Sequence, residues 1–423
     1  MKLNLNILTT LNLLLLLSCS AALGQTQHQD STDVIRVSAI LPFCTQLTFD
    51  NAAPPPRKEL RMREIAMENK NGLVWAAHRI IEAGYSVELS FFDEVPDSLG
   101  VPHWTTDSIL GSDYVFGPLQ QSQLTRNLRN IDRTGSEHFL LTRINENVLK
   151  TSNSRRAILP ATTQSVDLIS AKIIENHLDD NILFLMAGGV ETELENKFLE
   201  SFFADSLILG DSLRFDTIQG SKSSVGTLAE KIDFYDRNVI VAIGSRRSRS
   251  MISNLQMAVQ VNDSTEIFVY GGKDIKGLKF MDVPFLERTR TTIPVSGEVN
   301  WTDSLAADAI LTYRALYGTD PSDYAVRAHD SFIDAFLRRV EATPMDSTIL
   351  VTDSLAQWDF SALPQPVCDR IKWTQAVEDG GYLNSTWKLE TFHQGQWCDT
   401  DIVPSLHPFV EPELDEEGFY IRD

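Results

Sequence analysis

Cysteine is scarce in this sequence of 423 residues, and the spacing of its four cysteines and eight histidines matches no common metal site. The cysteines form no Cys-x-x-Cys pair, and the histidines include no His-Glu-x-x-His. Zinc sites depend on such spacings because their ligands must converge on one ion. The sequence therefore predicts no metal site, and nothing in it indicates a bound cofactor.

Sequence motifs typical of enzymes are also missing. There is no nucleophile elbow, no phosphate-binding loop, no dinucleotide fingerprint and no motif with paired catalytic carboxylates. The paired glycines at 188–189 and 271–272 lack the G-x-G-x-x-G spacing, and such pairs commonly let a helix approach a strand. We therefore predict that the protein is not an enzyme.

Positive charge is in deficit: 37 Lys and Arg residues face 58 Asp and Glu residues, which gives a formal net charge of −21. A surface of this sign repels the phosphate backbone of nucleic acids and anionic lipid headgroups. The charge therefore argues against nucleic acid as a partner. The acidic stretch at 411–423 is predicted to be a solvated tail.

Long apolar runs are confined to the N-terminus. Residues 1–24 have one early lysine, a leucine-rich stretch and then small residues, which is typical of an export signal. Residues 16–19, Leu-Leu-Ser-Cys, have the form of a bacterial lipobox, whereas Ala22 and Gly24 would suit ordinary signal peptidase. Both processing routes fit the sequence.

The lipobox predicts a membrane anchor. We expect a lipid on Cys19, with residues 25–33 as a tether to the folded part. A multiply acylated cysteine gives durable attachment because each buried methylene contributes ~0.8 kcal/mol. The expected location is the periplasm, with the protein held by its lipid in the inner leaflet of the outer membrane. No other run approaches the ~20 apolar residues needed to span a bilayer.

Export would expose the remaining cysteines to an oxidising compartment. Cys368 and Cys398 flank one C-terminal stretch of strand-forming residues, and we predict a disulfide between them. Cys44 is then left as a buried thiol at the end of a strand.

Strand-forming runs alternate with helical stretches along most of the chain. Runs such as 34–43, 113–118 and 238–245 are apolar on both faces, which is typical of a parallel sheet covered by helices on both sides. The same rhythm occurs twice, so the sequence predicts an α/β fold with two doubly wound parallel-sheet lobes joined by a multi-strand hinge. A ligand crevice would lie at the carboxyl ends of the strands.

We divide the chain where this rhythm repeats. Residues 34–160 with a return near 321–350 form the predicted first lobe, and 161–320 with about 351–410 form the second. The return is predicted because residues 324–340 form an amphipathic helix that can pack on the first sheet. The hinge would consist of three crossings of the chain.

A Gly-Pro pair, Gly117 and Pro118, ends the third predicted strand. The helix that follows has free backbone N–H groups in its first turn, and these would point toward the crevice. A Gly-Pro pair is also a common way to end a strand and begin a helix in any α/β protein. The sequence alone leaves both interpretations open.

Several segments together resemble the type I periplasmic binding-protein fold. They lie at 34–43, 71–93, 112–119, 238–245, 266–272 and 313–336. Over about residues 34–400, the chain is most similar to the Bacteroidetes envelope branch that resembles amino-acid ABC transporter substrate-binding proteins. The most specific parts are the strand that ends in Gly-Pro and the Tyr-Gly-x-x-Pro-Ser-x-Tyr stretch at 317–324, followed by Asp330. The resemblance implies a two-lobed fold that binds a small solute.

The chain departs from this family in the loops of the expected site. Members that bind amino acids hold the ligand's carboxylate with loops rich in Ser and Thr, whereas here the loops at 119–123 and 143–147 read Leu-Gln-Gln-Ser-Gln and Arg-Ile-Asn-Glu-Asn. Ala328 and His329 stand where the family usually has Gly-Tyr, and the LysM repeats of some members are missing. The resemblance therefore implies the fold and leaves amino-acid transport open.

The predicted ligand site consists of residues at strand ends in both lobes. They are Thr45, Asp93, Gly117, Gln120, Thr142 and Arg143 in the first lobe, and Ser245, Arg246 and Lys273 in the second. Arginine near a helix start suits a carboxylate or phosphate, so we expect a small polar ligand with an anionic group. Alternatively, Arg246 pairs with surface acids, which are abundant in this chain.

Two functions fit these observations. A solute-binding-like lipoprotein would close its lobes over a small polar ligand, without catalysis, in a well-formed crevice. An envelope interaction protein, or a regulator of cell-wall synthesis, would keep the fold, lose the ligand and bind another envelope protein. Its crevice would be filled by side chains such as Phe43 or Trp104, and it would have an exposed patch elsewhere. The first is our leading hypothesis and the second is the alternative.

Overall fold

The computed structural model describes residues 34–47, 55–97, 99–206, 213–244, 249–261, 265–301, 303–342, 363–401 and 403. The predicted signal, the lipidation site Cys19, the tether and the acidic tail lie outside the described residues. Within the described ranges, no helix has the length and apolar character needed to cross a membrane.

The first of two seven-stranded sheets combines strands from both ends of the described chain. Its strands are β1 (Ile35–Leu41), β2 (Val87–Asp93), β3 (Tyr114–Phe116), β4 (Glu137–Leu140), β5 (Arg155–Ala157), β11 (Trp373–Gln375) and β12 (Tyr382–Asn384). Their order is β2-β1-β3-β4-β5-β12-β11, and every neighbouring pair is parallel except β11 with β12. Leu41 lies opposite Asp93, so the ends of β1 and β2 are level.

The second sheet repeats this arrangement. Its strands are β6 (Asn181–Met186), β7 (Phe215–Gln219), β8 (Asn238–Ala242), β9 (Ile267–Gly271), β10 (Thr292–Val295), β13 (Lys388–His393) and β14 (Gln396–Asp399). Their order is β7-β6-β8-β9-β10-β13-β14, with β13 antiparallel to both neighbours and the other pairs parallel. The predicted pair of parallel-dominated α/β lobes is confirmed.

Helices connect most of the strands. They are α1 (Arg57–Glu82), α2 (Thr106–Ile109), α3 (Gln121–Asp132), α4 (Thr162–Asn176), α5 (Thr192–Ser206), α6 (Val225–Lys231), α7 (Arg249–Val261), α8 (Val283–Arg288), α9 (Ser304–Tyr317) and α10 (Asp323–Ala342).

Two long helices, α1 and α10, cover one face of the first sheet. Leu73 of α1 and Phe332 of α10 lie in one buried cluster with Phe116 of β3. The helices approach each other closely at Gly72, where a β-carbon would lie 2.1 Å from the carbonyl oxygen of Ala325. Glycine is therefore required at this contact.

Helices α4 and α5 cover the matching face of the second sheet. Ile169 of α4 and Phe198 and Phe202 of α5 are fully buried in one cluster with Phe184 of β6. Each lobe thus buries one apolar face of its sheet under a pair of helices, the arrangement expected for a covered parallel sheet.

The chain crosses between the sheets three times: after β5, after β10 and between β12 and β13. Asn384 Nδ2 donates to the carbonyl oxygen of Ile158 at 2.8 Å, and Trp387 Nε1 donates to that of Ala161 at 3.1 Å. These bonds hold the first and third crossings together, so the hinge is the multi-strand connection that the sequence predicts.

The division of the chain between the lobes differs from the predicted one. Helix α9 shares a buried cluster with Trp75 of α1 and Val326 of α10, so it packs with the first lobe although it falls in the range 161–320. Strands β11 and β12 belong to the first sheet although they fall in the range 351–410. The alternation of strands and helices in the sequence predicts the strands and helices themselves. It does not predict which of the two sheets a short strand joins after the chain has crossed the hinge.

The predicted disulfide between Cys368 and Cys398 is not formed, and both residues are free thiols. Cys368 packs beside the cluster of α9 and α10, whereas Cys398 lies in β14 of the second sheet. The prediction is wrong because the segment between these cysteines crosses from one lobe to the other. Cys44 is buried, as predicted, and burial raises the pKa of its thiol to about 11.

Candidate functional site

The ends of β1 and β2 bring two predicted site residues together. The Asp93 carboxylate accepts hydrogen bonds from the Thr45 N–H at 2.7 Å and the Thr45 hydroxyl at 2.8 Å. Its other oxygen accepts from the N–H groups of Cys44 at 3.3 Å and Val95 at 3.0 Å. Asp93 is buried. Its carboxylate is fully engaged in holding the loop after β1.

The Gly-Pro pair at the end of β3 requires its glycine. Gly117 has a φ of +85°, and a β-carbon there would lie 2.2 Å from the carbonyl oxygen of Ile40, so no other residue fits without strain. The Gly117–Pro118 peptide bond is cis. His138 is fully buried, and its Nε2 donates to the Gly117 carbonyl oxygen at 2.6 Å. Burial lowers the pKa of His138 to about 4, so this ring is neutral at pH 7.

The N–H groups that follow the Gly-Pro pair are already bound. Leu119 N donates to one oxygen of the Glu94 carboxylate and Gln120 N to the other, each at 2.7 Å. Glu94 is only 3% exposed. Burial raises its pKa to about 7, although the two N–H donors act in the opposite direction. The position expected for a ligand's anion is therefore occupied by a carboxylate of the chain itself.

The second lobe has the same kind of contact at the end of β6. Glu195 projects from the first turn of α5, and its carboxylate accepts from Ala187 N at 2.5 Å and from Gly188 N at 3.1 Å. Glu195 is fully buried, and burial raises its pKa. A β-carbon at Gly244 would lie 2.8 Å from its Oε1, so the end of β8 also closes on this carboxylate.

The remaining predicted residues are less closely grouped. Thr142 is half-buried and Arg143 is exposed after β4, and Arg143 contributes to a lowered pKa of Arg327, which is due mainly to burial. Lys273 lies against the hinge, with its Nζ 5.9 Å from the ring centre of Trp387. Ser245 and Arg246 lie outside the described residues.

The two aromatic residues proposed to fill a closed crevice both pack on side chains of the first lobe. Trp104 is buried in a cluster of the first lobe with Ile40 of β1 and Ile109 of α2. Phe43 packs on Phe91, with ring centres 6.4 Å apart.

Carboxylates bind the N–H groups at the strand ends, and the sequence analysis missed two of them, Glu94 and Glu195. The available signals were an acid, Glu94, directly after a strand that ends in Asp93, and an acid at the start of the helix after β6, Glu195. Among the described residues, no group of three or more His, Cys, Asp or Glu side chains is placed to hold a metal ion.

No family model matches the chain, and no curated protein matches its sequence. Solved structures do match. One is a putative branched-chain amino acid ABC transporter protein from Rhodospirillum rubrum, with a TM-score of 0.53 and 11% identity, over 86% of this chain and 99% of that one.

Two further solved structures are similar over the same extent. The LpoA C-domain from Haemophilus influenzae, a regulator of PBP1A, has a TM-score of 0.49 and 9% identity over 86% of this chain and 99% of that one. An ABC transporter substrate-binding protein from Desulfitobacterium hafniense, solved with Leu, has a TM-score of 0.45 and 12% identity over 87% and 100%. With the sheet order described above, the similarity to the Rhodospirillum rubrum structure shows that the chain has the two-lobed type I periplasmic binding-protein fold.

Proposed function

We propose that this chain is a non-catalytic lipoprotein of the cell envelope that has kept the two-lobed fold, has lost the ligand site and acts by binding another envelope protein. The observation that supports this proposal is the set of internal carboxylates at the strand ends. Asp93, Glu94 and Glu195 accept the N–H groups after β1, β3 and β6, which an anionic ligand would otherwise use.

An external anion would compete with these carboxylates at a disadvantage. To reach the N–H groups of Leu119 and Gln120, a ligand would have to displace Glu94, which is 3% exposed. The displaced carboxylate would then lie near a second anion, and an unpaired buried charge costs several kcal/mol. The internal group is also covalently tethered, so it pays no translational entropy on binding.

One ion pair at the hinge adds a little support, because it joins the two lobes beside a buried contact of the first lobe. The buried Asp330 of α10 accepts from the N–H groups of Val367 and Cys368, each at 2.9 Å. The next residue, Asp369, pairs with Lys388, the first residue of β13, at 3.1 Å. The Asp369 pair is partly exposed and contributes little by itself, but it continues the buried contacts of Asp330 into the second lobe.

One observation favours solute binding as a second candidate. Arg143 is exposed at the end of β4, close enough to Arg327 to lower its pKa. Two guanidinium groups near one strand end would suit a small anion. In this case the ligand would be held by side chains and not by the N–H groups of the strand ends.

A thermal-shift screen tests the proposal against the second candidate. The wild-type protein is mixed with amino acids, dicarboxylates, muropeptides and sugar phosphates. A ligand at about 100 times its Kd would stabilise the folded state by ~2.7 kcal/mol. We expect no shift. A shift that is lost in Arg143→Ala would replace the proposal with solute binding.

The variant Glu94→Ala tests whether the internal carboxylate is what blocks the site. It leaves the N–H groups of Leu119 and Gln120 without an acceptor, so we expect a loss of about 1–3 kcal/mol. Formate or acetate should restore part of this loss in Glu94→Ala and have no effect on the wild type. Glu88→Ala, at the exposed end of the same strand, is the matched control.

The anchoring part of the proposal has its own test. Metabolic labelling with a fatty-acid analogue should mark the full-length protein and leave Cys19→Ala unmarked. Equal labelling of both, or release of both as soluble protein that begins at Gln25, would contradict lipidation.

A further inference from the structure

Strand β2 forms an open edge of the first sheet, since it pairs with β1 alone among the described strands. Ile35 N of β1 donates to the carbonyl oxygen of Ser86 at 2.9 Å, which sets the direction of the backbone groups along β2. The N–H and C=O groups that point away from β1 belong to Val87, Leu89 and Phe91. Within the ranges that the structure describes, no hydrogen bond reaches these groups. Another extended chain is what normally satisfies such an edge.

The other edge strands of the two sheets are short or blocked. β11 has three residues and β14 has four. In β7, which takes the place of β2 in the second sheet, the outward N–H group of Thr217 donates to the Asp216 carboxylate at 2.7 Å. β2 has seven residues and contains no proline or lysine, which often protect an edge. Of the described edges, β2 is therefore the one best able to pair with another chain.

Helix α1 lies beside this edge and presents one row of side chains there. Its members, which we call the α1 row, are Met67, Lys70, Val74, His78 and Ile81. At about 100° per residue they span an arc of about 80°, on the side of α1 opposite Gly72, where the helix contacts α10. Met67 is 39% exposed and Ile81 is 52% exposed. Lys70 Nζ lies 5.6 Å from the ring centre of Phe91 in β2. The α1 row therefore faces outward on the same side as the open edge of β2.

The α1 row and the edge of β2 are each symmetric about a middle residue. In the α1 row, Met67 and Ile81 lie at equal distances along the helix on either side of Val74. Among the outward residues of β2, Leu89 is the middle one and both of its neighbours are apolar. A two-fold interface pairs a surface with itself, so it requires this kind of symmetry.

The two middle residues also lie at nearly the same height. Tyr85 N donates to the carbonyl oxygen of Ile80 at 3.2 Å, so the last turn of α1 lies beside the start of β2. From this contact, Val74 lies ~9 Å along the helix and Leu89 lies ~13 Å along the strand. The difference is less than one helical turn, so one two-fold axis can pass close to both residues.

An antiparallel pair of β2 strands around this axis would join two first sheets. Leu89 would pair with Leu89 of the second copy and Val87 with Phe91, and each pair would exchange its two backbone hydrogen bonds. Aromatic and aliphatic side chains that face each other in this way are favourable cross-strand pairs. Each α1 lies above β1 and β2, and strands are ~4.8 Å apart, so the two α1 helices would be ~10 Å apart. Packed helices have this separation.

The charges beside this surface suit a second copy. Lys70 contacts the ring of Phe91, and it forms no ion pair among the residues that the structure describes. The axis would bring Lys70 of one copy near Glu82 of the other, which in its own copy lies 3.4 Å from His78. On the opposite face of the sheet, Glu88 lies 3.5 Å from Arg36. The meeting surfaces thus carry no excess of negative charge, although the whole chain has a net charge of −21.

We propose that this surface binds a second copy of the chain, so that two first lobes join through their β2 edges and α1 rows into one continuous sheet. The symmetry favours a second copy over a strand of another protein, because a foreign strand would require no symmetry about Leu89 or Val74. The inference goes beyond the proposed function and does not rest on it, since it concerns a surface separate from the strand ends that Glu94 and Glu195 occupy.

Sedimentation equilibrium of the mature chain from Gln25 tests the proposal. We expect a dimer at about 100 μM, which requires a Kd in the micromolar range. Leu89→Pro removes an outward N–H group and keeps the bonds of β2 to β1, so it should raise the Kd by at least about tenfold. Thr217→Pro, at an outward position of β7, is the matched control and should leave the dimer unchanged.

A charge exchange at the axis distinguishes a lost interface from a misfolded variant. Val74→Glu and Val74→Lys each place like charges opposite each other, so each variant alone should be monomeric. An equal mixture of the two should form dimers again, because opposite charges then meet. Met257→Glu, at a side chain of the second lobe that is 53% exposed, should remain dimeric. A mixture that stays monomeric would contradict the proposed axis.

Hydrogen exchange identifies any other occupant of the edge. In the dimer, the amides of Val87, Leu89 and Phe91 should be protected, and Val74→Glu should remove this protection. A wild-type monomer at about 100 μM would overturn the proposal. Protected amides in that monomer would show that a segment of the same chain covers β2, and unprotected amides would show an edge open to a different protein. A dimer that neither Leu89→Pro nor Val74→Glu weakens would use another surface and would equally overturn it.

Discussion

The two lobes share the order of their first five strands, and they satisfy the N–H groups at their strand ends by different means. In the first lobe, two consecutive residues at the end of β2, Asp93 and Glu94, accept the N–H groups after β1 and β3. In the second lobe, Glu195 reaches the end of β6 from helix α5. In both lobes a carboxylate accepts the N–H groups that follow the strands. The element that carries this carboxylate differs between the lobes.

The helix layers of the two lobes differ as well. The layer of the second lobe is an aromatic cluster built around Phe198. The layer of the first lobe contains a buried polar group of side chains. Asp330 bonds His329 at 2.7 Å, and Arg79 lies 3.0 Å from the other ring nitrogen of that histidine. Asp330 of this group also binds the backbone of the segment that returns to the first lobe, at residues 367 and 368.

The largest expected effect is the loss of an aromatic ring from the second lobe. Phe198→Ala should lower the free energy of unfolding by about 3–5 kcal/mol, because the cavity left among Phe184, Phe202 and Phe215 cannot collapse fully. Urea denaturation measures the loss. Hydrogen exchange should show lower protection in β6 than in β1. Equal loss of protection in both would mean that the lobes unfold as one unit.

The corresponding change in the first lobe removes the polar contact. Asp330→Ala leaves the N–H groups of Val367 and Cys368 and the His329 ring without their acceptor, and we expect a loss of about 3 kcal/mol. Hydrogen exchange at 367 and 368 should rise to the rate of an open loop. The exposed Asp320→Ala should leave stability unchanged. Retained protection at these two positions would show that the returning segment is held by other contacts.

A pH titration should distinguish Glu94 from an ordinary surface acid. Its pKa of about 7 in the folded protein lies above the ~4.5 of an unfolded chain, so the folded state holds the proton more tightly. The stability that Glu94 contributes is complete below pH ~4.5 and is lost as the pH rises through 7. In Glu94→Gln, the free energy of unfolding should therefore fall less between pH 4.5 and pH 7 than in the wild type.

Glu195→Gln should act in the same direction, because burial also raises the pKa of Glu195. Denaturant midpoints measured between pH 4 and pH 8 provide the comparison. A wild-type midpoint that rises with pH over this range, with no change in either variant, would contradict both assignments.

The smallest effects are expected at exposed ion pairs in either lobe. Arg36 and Glu88 approach to 3.5 Å on the first sheet, and Asp216 and Lys231 approach to 2.6 Å on the second. Because these side chains are well solvated, Glu88→Ala and Asp216→Ala should each shift the unfolding temperature by less than about 2 °C. A larger shift in one lobe would show that its surface charges are coupled to the core.

The sequence predicts the strands and helices of this fold better than it predicts which of them lie side by side. Continuous apolar runs identify β1, β3 and β8 because a buried parallel strand has no polar face. Thr45 and Asp93 were predicted to lie near each other at strand ends, and they are hydrogen-bonded because β1 and β2 end level. That inference needs only parallel strands in register.

Contacts that depend on loop conformation could not be predicted in this way. Whether the side chain of Glu94 turns toward Leu119 or toward solvent depends on the backbone after β2 and β3, which no periodicity encodes. The failed pairing of Cys368 and Cys398 has a similar cause. Two residues thirty positions apart look close along the sequence, but a crossing of the hinge separates them.

The return of the chain to the first sheet sets the order in which the protein can fold. β5 lies beside β12, so the edge of β5 stays open until the strand that ends at Asn384 has arrived. Pairings this distant in sequence form slowly. Until then, β5 presents unpaired N–H and C=O groups to any other extended chain. A chain stopped before β12 would leave both lobes incomplete, since β13 follows directly.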